Sequence, residues 1–589
     1  MACGGKSSLE NAPLEGFSDQ QREYLQQLID ELDLAAVYKA PEPQAGGAPL
    51  TVFGTPLEDL SKEEHLKLEE HPWEIFPKLE KIAASDQMPE GGDVFMIKHH
   101  GLFNVAPAMP GFMCRLRIPA CKLRGDQLIG LGDLAENLAG GYAHVTTRGN
   151  LQLREIPPSR ILDLITGLYD IGLTSKGSGA DSVRNITCNP TAGFDPQEII
   201  DLSPFAIQLH QHILHTPTLH GIPRKFNVAF DGGGIVSAVA DTNDIGFVAT
   251  KAMIDGEEKV LCKILLGGIT GHLDFARDSG FACTPEQTVA VAIAMIRVFI
   301  EHGDRTNRKK ARLKYLLDDW GLEKFTLEAE KRLDFDLIRT SGTTLEDRPA
   351  IDRQAHIGVR RQVQEDRRYL GVALPLGRLS PEQMRELGRI AQIHGSNDIR
   401  LTVWQNLIIP DIRESELDVV LAKIKSIGLD VSASSFATGV VACTGKFGCK
   451  FASAHTKEHG AEIVDYLQEK LELDQPINIH LTGCSHSCAQ HYIGDIGLLG
   501  ASTEDGREAY QVYLGGGSDH DQGIAHYLCG PVPADELPPL LESMLTTYLA
   551  KREADESFLT STRRHDEAEL KQLLLSETAF ADASVMEVV

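Results

Sequence analysis

The sequence predicts an α/β (α+β) protein organised around a duplicated module, on three observations. A chain of 589 residues exceeds what one hydrophobic core supports, so two to four domains are expected. About 60 residues from Met113 match a later stretch without a gap: Ile118-Pro119 with Leu374-Pro375, Leu131-Gly132 with Leu387-Gly388, Asn150 with Asn406, and Gly172-Leu173 with Gly428-Leu429. Each pair is 256 positions apart (374 less 118, 388 less 132, 406 less 150, 428 less 172). Such self-similarity implies two copies in a pseudo-twofold arrangement. The third observation lies farther on. Gly439-Val440-Val441-Ala442 is short and β-branched, Ile477-Asn478-Ile479-His480-Leu481 alternates apolar with polar, and a helical pattern from His455 to Leu473 lies between. A strand, crossover helix and strand make those strands parallel, with their carboxyl ends on one edge.

Taken in order, residues 1–95 are acidic and interrupted by proline, with one helical pattern at Asp19–Leu34 and a charged stretch, Leu60–Lys81, holding Trp73 and Phe76. They carry no motif and read as an arm or cap, best taken as a solvated extension. In the repeat, the first copy keeps Arg115, Arg117, Arg148 and Arg154 where the second has Gly371, Ala373, Trp404 and Pro410. One arginine on a strand is by default a solvated face. Retention in one copy alone points to anion binding, which the guanidinium fork suits. Next come SGADSVRNITCNP around Arg184 and GIPRKFNVAFDGGG, which sets Lys225 and Asn227 on one face of a starting strand.

The most hydrophobic run, Thr288–Ile300, is too short for a membrane span and carries Arg297, so it reads as a core helix. RTNRKKARLK, from Arg305, packs six cations into ten residues at a helix start. Tyr510–Gly517 reads as a final strand with a glycine turn. From Ala534 the chain is helical, with Arg563-Arg564-His565 in a C-terminal helix pair and a frayed last dozen residues.

Four cysteines carry the strongest chemical signal. Cys443 and Cys449 have five residues between them and Cys484 and Cys488 have three, each pair just past a strand of the parallel unit. Both loops therefore open at one place, where open α/β sheets hold ligands. Converging thiolates suit an iron–sulfur cluster or a structural zinc. Zinc knuckles use pairs two to four residues apart, so the spacing favours a cluster; four unrelated buried thiols are the remaining alternative.

The formal net charge of −27 speaks against nucleic-acid binding and an anionic membrane surface, even at the Arg305 cluster. The N-terminal MACGGKSSLE lacks an apolar signal core and the cysteine count of eleven is odd, which predicts a cytoplasmic protein with metal-bound thiols. GGGIVSAVA, at Gly232, has the wrong spacing for a dinucleotide loop, so nicotinamide and flavin are expected on another protein.

The two cysteine pairs resemble those of the sirohaem-containing nitrite and sulfite reductases. That resemblance implies that Cys443, Cys449, Cys484 and Cys488 hold a [4Fe–4S] cluster, with Cys488 bridging to the sirohaem iron. Where the family usually has Pro-Asn, this chain has Ser485-His486. The family's substrate motifs fall on Arg115, Arg184, Lys225 and Asn227, and its sirohaem cradle on Asn307, Arg308, Lys310, Arg312 and Lys314, with Arg148 and Asn150 also expected near the cofactor. Asn rather than a second Lys at 227 implies nitrite over sulfite, since a singly charged anion calls for one fewer cation. The implied reaction is six-electron reduction of nitrite to ammonia, with sulfite reduction as the alternative and a ferredoxin or flavoprotein as external donor. The implied architecture is an arm at 1–95, ferredoxin-like half-domains at 96–180 and 346–435, a sirohaem and substrate domain at 181–345, a cluster domain at 436–548 and a helical tail at 549–589.

Overall fold

The repeat folds twice into the same unit. A computed structural model describes residues 51–575 and 580, apart from residues 255 and 433, so the helical pattern at Asp19–Leu34 lies outside the described residues. In the first copy the strands Phe112–Arg115, Ala143–Val145 and Leu151–Ile156 carry the helices Gly125–Leu138 and Ile161–Asp170. In the second, Arg367–Val372, Asp398–Leu401 and Leu407–Arg413 carry Pro381–His394 and Leu417–Ser426. Each sheet takes an edge strand from the other copy. Lys122–Arg124 pairs antiparallel with Asp398–Leu401, and Arg378–Leu379 pairs with Ala143–Val145. This exchange covers two open edges and leaves no seam between the copies.

The paired helices explain two conserved-looking glycines of the repeat. A Cβ on Gly388 would stand 2.4 Å from the Gly125 carbonyl oxygen, and one on Gly132 would stand 3.0 Å from that of Pro381. Glycine inside a helix costs about 1 kcal/mol relative to alanine; here it lets Gly125–Leu138 and Pro381–His394 touch backbone to backbone. Leu128, Leu131, Leu374, Leu387 and Leu401 then join one core shared by both copies.

A second duplication, missed in the sequence, builds the two open sheets. One runs in order Val183–Cys188, Phe226–Asp231, Ile245–Ile254, Glu257–Leu266, Arg277–Cys283, Ile338–Arg339; the other runs Val440–Ala442, Ile479–Thr482, Ile496–Ser502, Glu508–Leu514, His526–Pro533. In each, the first two pairings are parallel and the next two antiparallel. Asn227 matches Asn478 and Gly246 matches Gly497, both 251 positions apart (478 less 227, 497 less 246). Left-handed Val239 and Gln490, with φ of 51° and 56°, precede the matching turns Ala240–Thr242 and His491–Ile493. The two parallel strands and crossover helix Thr456–Lys470 stand as the sequence predicts. Glu508–Leu514 is not the final strand, because His526–Pro533 follows and pairs with it.

The described part of the N-terminal region is no solvated extension. Ile75, Leu79 and Ile82 enter the core of the repeat. The buried Lys67 ammonium reaches Glu64, Asp181 and the carbonyls of Gly221 and Ile222, and the Glu64 carboxylate meets Arg305 at 2.6 Å. A charge-rich sequence hid a segment whose charges are paired inside. The predicted core helix is Thr288–His302, packed by Val291, Met295 and Phe299. The C-terminal helices are Leu537–Lys551, Phe558–Arg563 and Glu567–Leu575. Among the described residues, no helix is long and apolar enough to cross a membrane.

Candidate active site

Because Val440–Ala442 and Ile479–Thr482 are parallel, Cys443 and Cys484 leave the sheet at the same edge. Backbone N–H groups of Gly445 and Gly483 donate to Cys443 Sγ at 3.4 and 3.2 Å. Burial pushes the Cys484 thiol up to about 12, and Cys488, Cys449 and Cys443 push it the same way, so the four sulfurs share one electrostatic neighbourhood. Among the described residues no three His, Cys, Asp or Glu side chains close tightly enough to hold a single ion. Cys488 is the exposed member of the four, and its backbone carbonyl accepts the Thr147 hydroxyl at 3.0 Å, next to Arg148.

Around Cys488 stand cations from four elements. Arg115 ends the strand Phe112–Arg115, Arg148 follows Ala143–Val145, Arg184 lies on Val183–Cys188, and Lys225 precedes Phe226–Asp231. Burial lowers the pKa of all four. Arg312 and Arg184 press the Lys225 value down further, and Cys488 opposes that shift, as it does for Arg115 and Arg148. Arg184 donates to the carbonyls of Ser178 and Ala180 at 3.1 and 2.6 Å, leaving its buried Nε without a partner among the described residues. Arg148 donates to the Asn243 side chain and the Thr242 carbonyl. Arg115 lies over the Phe103 ring at 4.7 Å. Asn227 is buried on the next strand, its backbone N–H held by Asp244 Oδ2 at 2.8 Å.

The cationic run from Arg305 is mostly spent on protein carboxylates. Arg308 makes a two-pronged bond to Asp181 at 2.8 Å on each arm, Arg312 meets Asp244 at 2.7 Å, and Lys314 meets Asp274 and Asp318. Asn307 Oδ1 caps the turn at Lys309 and is exposed, as is Lys310. Asn150 is buried with its amide engaged by the Leu116 carbonyl and the Leu151 N–H. Arg308, Arg312 and Lys314 are thus neutralised by protein carboxylates, whereas Arg148 and Arg184 donate to uncharged oxygens and Arg115 lies against a ring. Asp181 and Asp244 gave no signal in the sequence as carboxylates of this pairing.

Family comparison decides the relationship. The nitrite and sulphite reductase 4Fe-4S domain matches residues 179–337 and 434–566, and the nitrite/sulfite reductase ferredoxin-like half domain matches 108–170 and 360–427. The chain belongs to the nitrite and sulphite reductase family. It is 32% identical over 502 residues to the ferredoxin–nitrite reductase of Synechococcus elongatus, covering 83% of this chain and 96% of that one. It is 32% identical to the chloroplastic ferredoxin–nitrite reductase of Zea mays, covering 84% and 91%. The structure of the Mycobacterium tuberculosis NirA protein superposes with a TM-score of 0.80 at 27% identity, over 87% of this chain and 97% of that one. The duplicated units at the centre of the fold are thus the family's ferredoxin-like half-domains.

The second duplication repeats the position of this site with different side chains. A cavity of about 440 Å³, lined among others by Ser237, Trp404 and Asn478, lies where the pseudo-twofold would repeat the site. By the two repeat registers, Trp404 stands for Arg148, Ser237 for Cys488 and Asn478 for Asn227. The copy has no thiol at the position of Cys488 and no cation at that of Arg148, and its own arginines, Arg348 and Arg353, come from elsewhere in the chain.

Proposed function

We propose that this chain reduces nitrite to ammonia by six electrons at a sirohaem coupled to a [4Fe–4S] cluster, with a ferredoxin as external electron donor. The observation that carries this reading is the position of Cys488. Its carbonyl accepts the Thr147 hydroxyl beside Arg148, and its thiol is within electrostatic reach of Cys443 and Cys449 and of Lys225 and Arg115, so a cysteine set and an anion-binding set meet at one residue. The residues fit the groups. Cys443, Cys449, Cys484 and Cys488 would hold the cluster, and the cations around Cys488, with an unpartnered Arg184 Nε, suit both a polycarboxylate macrocycle and a small anion.

When bound, the two cofactors supply a metal site for the substrate and a store for single electrons. Arg115, Arg184 and Lys225 bind the anion and stabilise negative charge as N–O bonds break. Lys225, disfavoured as a cation by burial and by Arg312 and Arg184, is suited to give a proton to the departing oxygen. Asn227 contributes an amide where a second lysine would add charge. The two curated relatives quoted above act on nitrite with ferredoxin by name, which supports substrate and donor. Sulfite reduction to sulfide is the alternative on the same scaffold.

The test is steady-state turnover of the reconstituted protein with reduced methyl viologen, comparing ammonia from nitrite with sulfide from sulfite after recording the visible spectrum. Sirohaem bands with faster ammonia formation support the reading. Sirohaem bands with faster sulfide formation overturn the substrate, and a colourless protein after reconstitution overturns the cofactors.

A further inference from the structure

Arg154 ends up where its repeat partner, Pro410, could do nothing similar. It lies on the strand Leu151–Ile156 of the first half-domain, 3% exposed, and crosses into the cluster domain. Its Nη1 donates to the Gly448 carbonyl at 3.3 Å and its Nη2 to Thr444 Oγ1 and to Gln152 Oε1. Thr444 and Gly448 are the second and sixth residues of CTGKFGC, inside the loop bounded by Cys443 and Cys449. The loop is shaped to receive the guanidinium: a Cβ on Gly448 would stand 2.8 Å from Arg154 Nη1. None of these bonds goes to a carboxylate, and the Nε is buried without a partner among the described residues. Burial disfavours its charge, and Tyr142, then Cys449 and Cys443, oppose that effect.

We infer that Arg154 is the positioning residue of the iron–sulfur site: it holds the first cysteine loop in shape and sets a fixed positive charge against the thiolates of Cys443 and Cys449, biasing the cluster toward its reduced form. This rests on the cluster reading above. Reduction adds one electron to the cluster while the external donor loses one, and no proton or bond is exchanged. The cluster and its four thiolates then carry one more negative charge, and a buried cation without a carboxylate partner favours that state over the oxidised one. The pseudo-twofold copy, whose cavity holds no cysteine, has no use for such a cation, which accounts for proline at 410.

The experiment is potentiometric titration of the cluster, followed by electron paramagnetic resonance, in the holoenzyme and in Arg154→Gln and Arg154→Lys, with iron content measured on each. Arg154→Gln should lower the midpoint potential by about 60 mV, the one-electron equivalent of a tenfold loss in the reduction equilibrium, and Arg154→Lys should recover most of it. An Arg154→Gln cluster that titrates like the parent overturns the inference, as does a lysine variant shifted as far as the glutamine one. If Arg154→Gln takes up no iron, Arg154→Lys decides: a loaded cluster near the parent potential supports the inference, and an unloaded or shifted one overturns it. Absence of any cluster signal in the parent protein would instead overturn the function proposed above.

Discussion

Asp244 and Asp495 make the same bond in two different sheets. Asp244 Oδ2 accepts the backbone N–H of Asn227 at 2.8 Å, and Asp495 Oδ2 accepts that of Asn478 at 2.7 Å. Each carboxylate is also paired with an arginine, Arg312 at 2.7 Å and Arg353 at 3.0 Å. The device ties the start of a parallel strand to its neighbour, and in one copy that strand carries Asn227, proposed above to face the substrate. Replacing Asp244 with Asn leaves Arg312 buried without its partner, so the variant should lose about 3–5 kcal/mol of stability. Denaturant unfolding would show this as a lower midpoint, and an unchanged midpoint would refute it.

Asn227→Lys adds a second cation beside Lys225. The ratio of sulfite to nitrite turnover should rise, measured as kcat/KM for each anion. A ratio that stays where it was removes the basis for assigning nitrite through this residue.

Removing a cation of the proposed anion site should affect chemistry more than assembly. Arg184→Ala and Lys225→Met are each expected to lower kcat for nitrite by about 10²–10³, the usual loss on removing one donor to developing charge. The reduced [4Fe–4S] signal in electron paramagnetic resonance should persist in both, since neither residue is among the four cysteine ligands proposed here.

The contact between the half-domain helices should be intolerant of a methyl group. With a Cβ at Gly388 only 2.4 Å from the Gly125 carbonyl, Gly388→Ala should destabilise the protein by about 1–3 kcal/mol despite the better helix propensity of alanine. A thermal midpoint equal to or above the parent value would contradict the crossing described here.

Stability should fall as the pH drops below neutrality. Burial lowers the pKa of His99 to about 3 and of His100 to about 4, from an unperturbed 6.5. Between those values the unfolded chain binds protons that the folded chain does not, so stability rises with pH and its full value is present above about pH 6.5. At pH 5 each of the two costs up to ~2 kcal/mol. Replacing both with Gln should flatten the dependence of the thermal midpoint on pH between 5 and 7.

The sequence by itself determined the repeat at offset 256, the paired cysteines and the order of the arginine and lysine motifs. Those are local spacings, and periodicity and turn chemistry read them directly. It determined less where charge is concerned. Arg305, Arg308 and Arg312 looked like one cationic patch, but each has a buried carboxylate opposite, Glu64, Asp181 and Asp244, which are 241, 127 and 68 positions away. The segment after residue 50 looked like a solvated arm for the same reason. The second duplication was legible only as scattered identities 251 positions apart, Asn227 with Asn478, Gly232 with Gly483 and Asp244-Ile245-Gly246 with Asp495-Ile496-Gly497, too sparse to see until sheet registers aligned them. Tertiary structure alone decided which cations are neutralised and that Arg154 crosses between half-domain and cluster loop. The reason is physical: the free energy of a buried charge depends on what stands within a few ångströms of it, and chain separation says nothing of that distance.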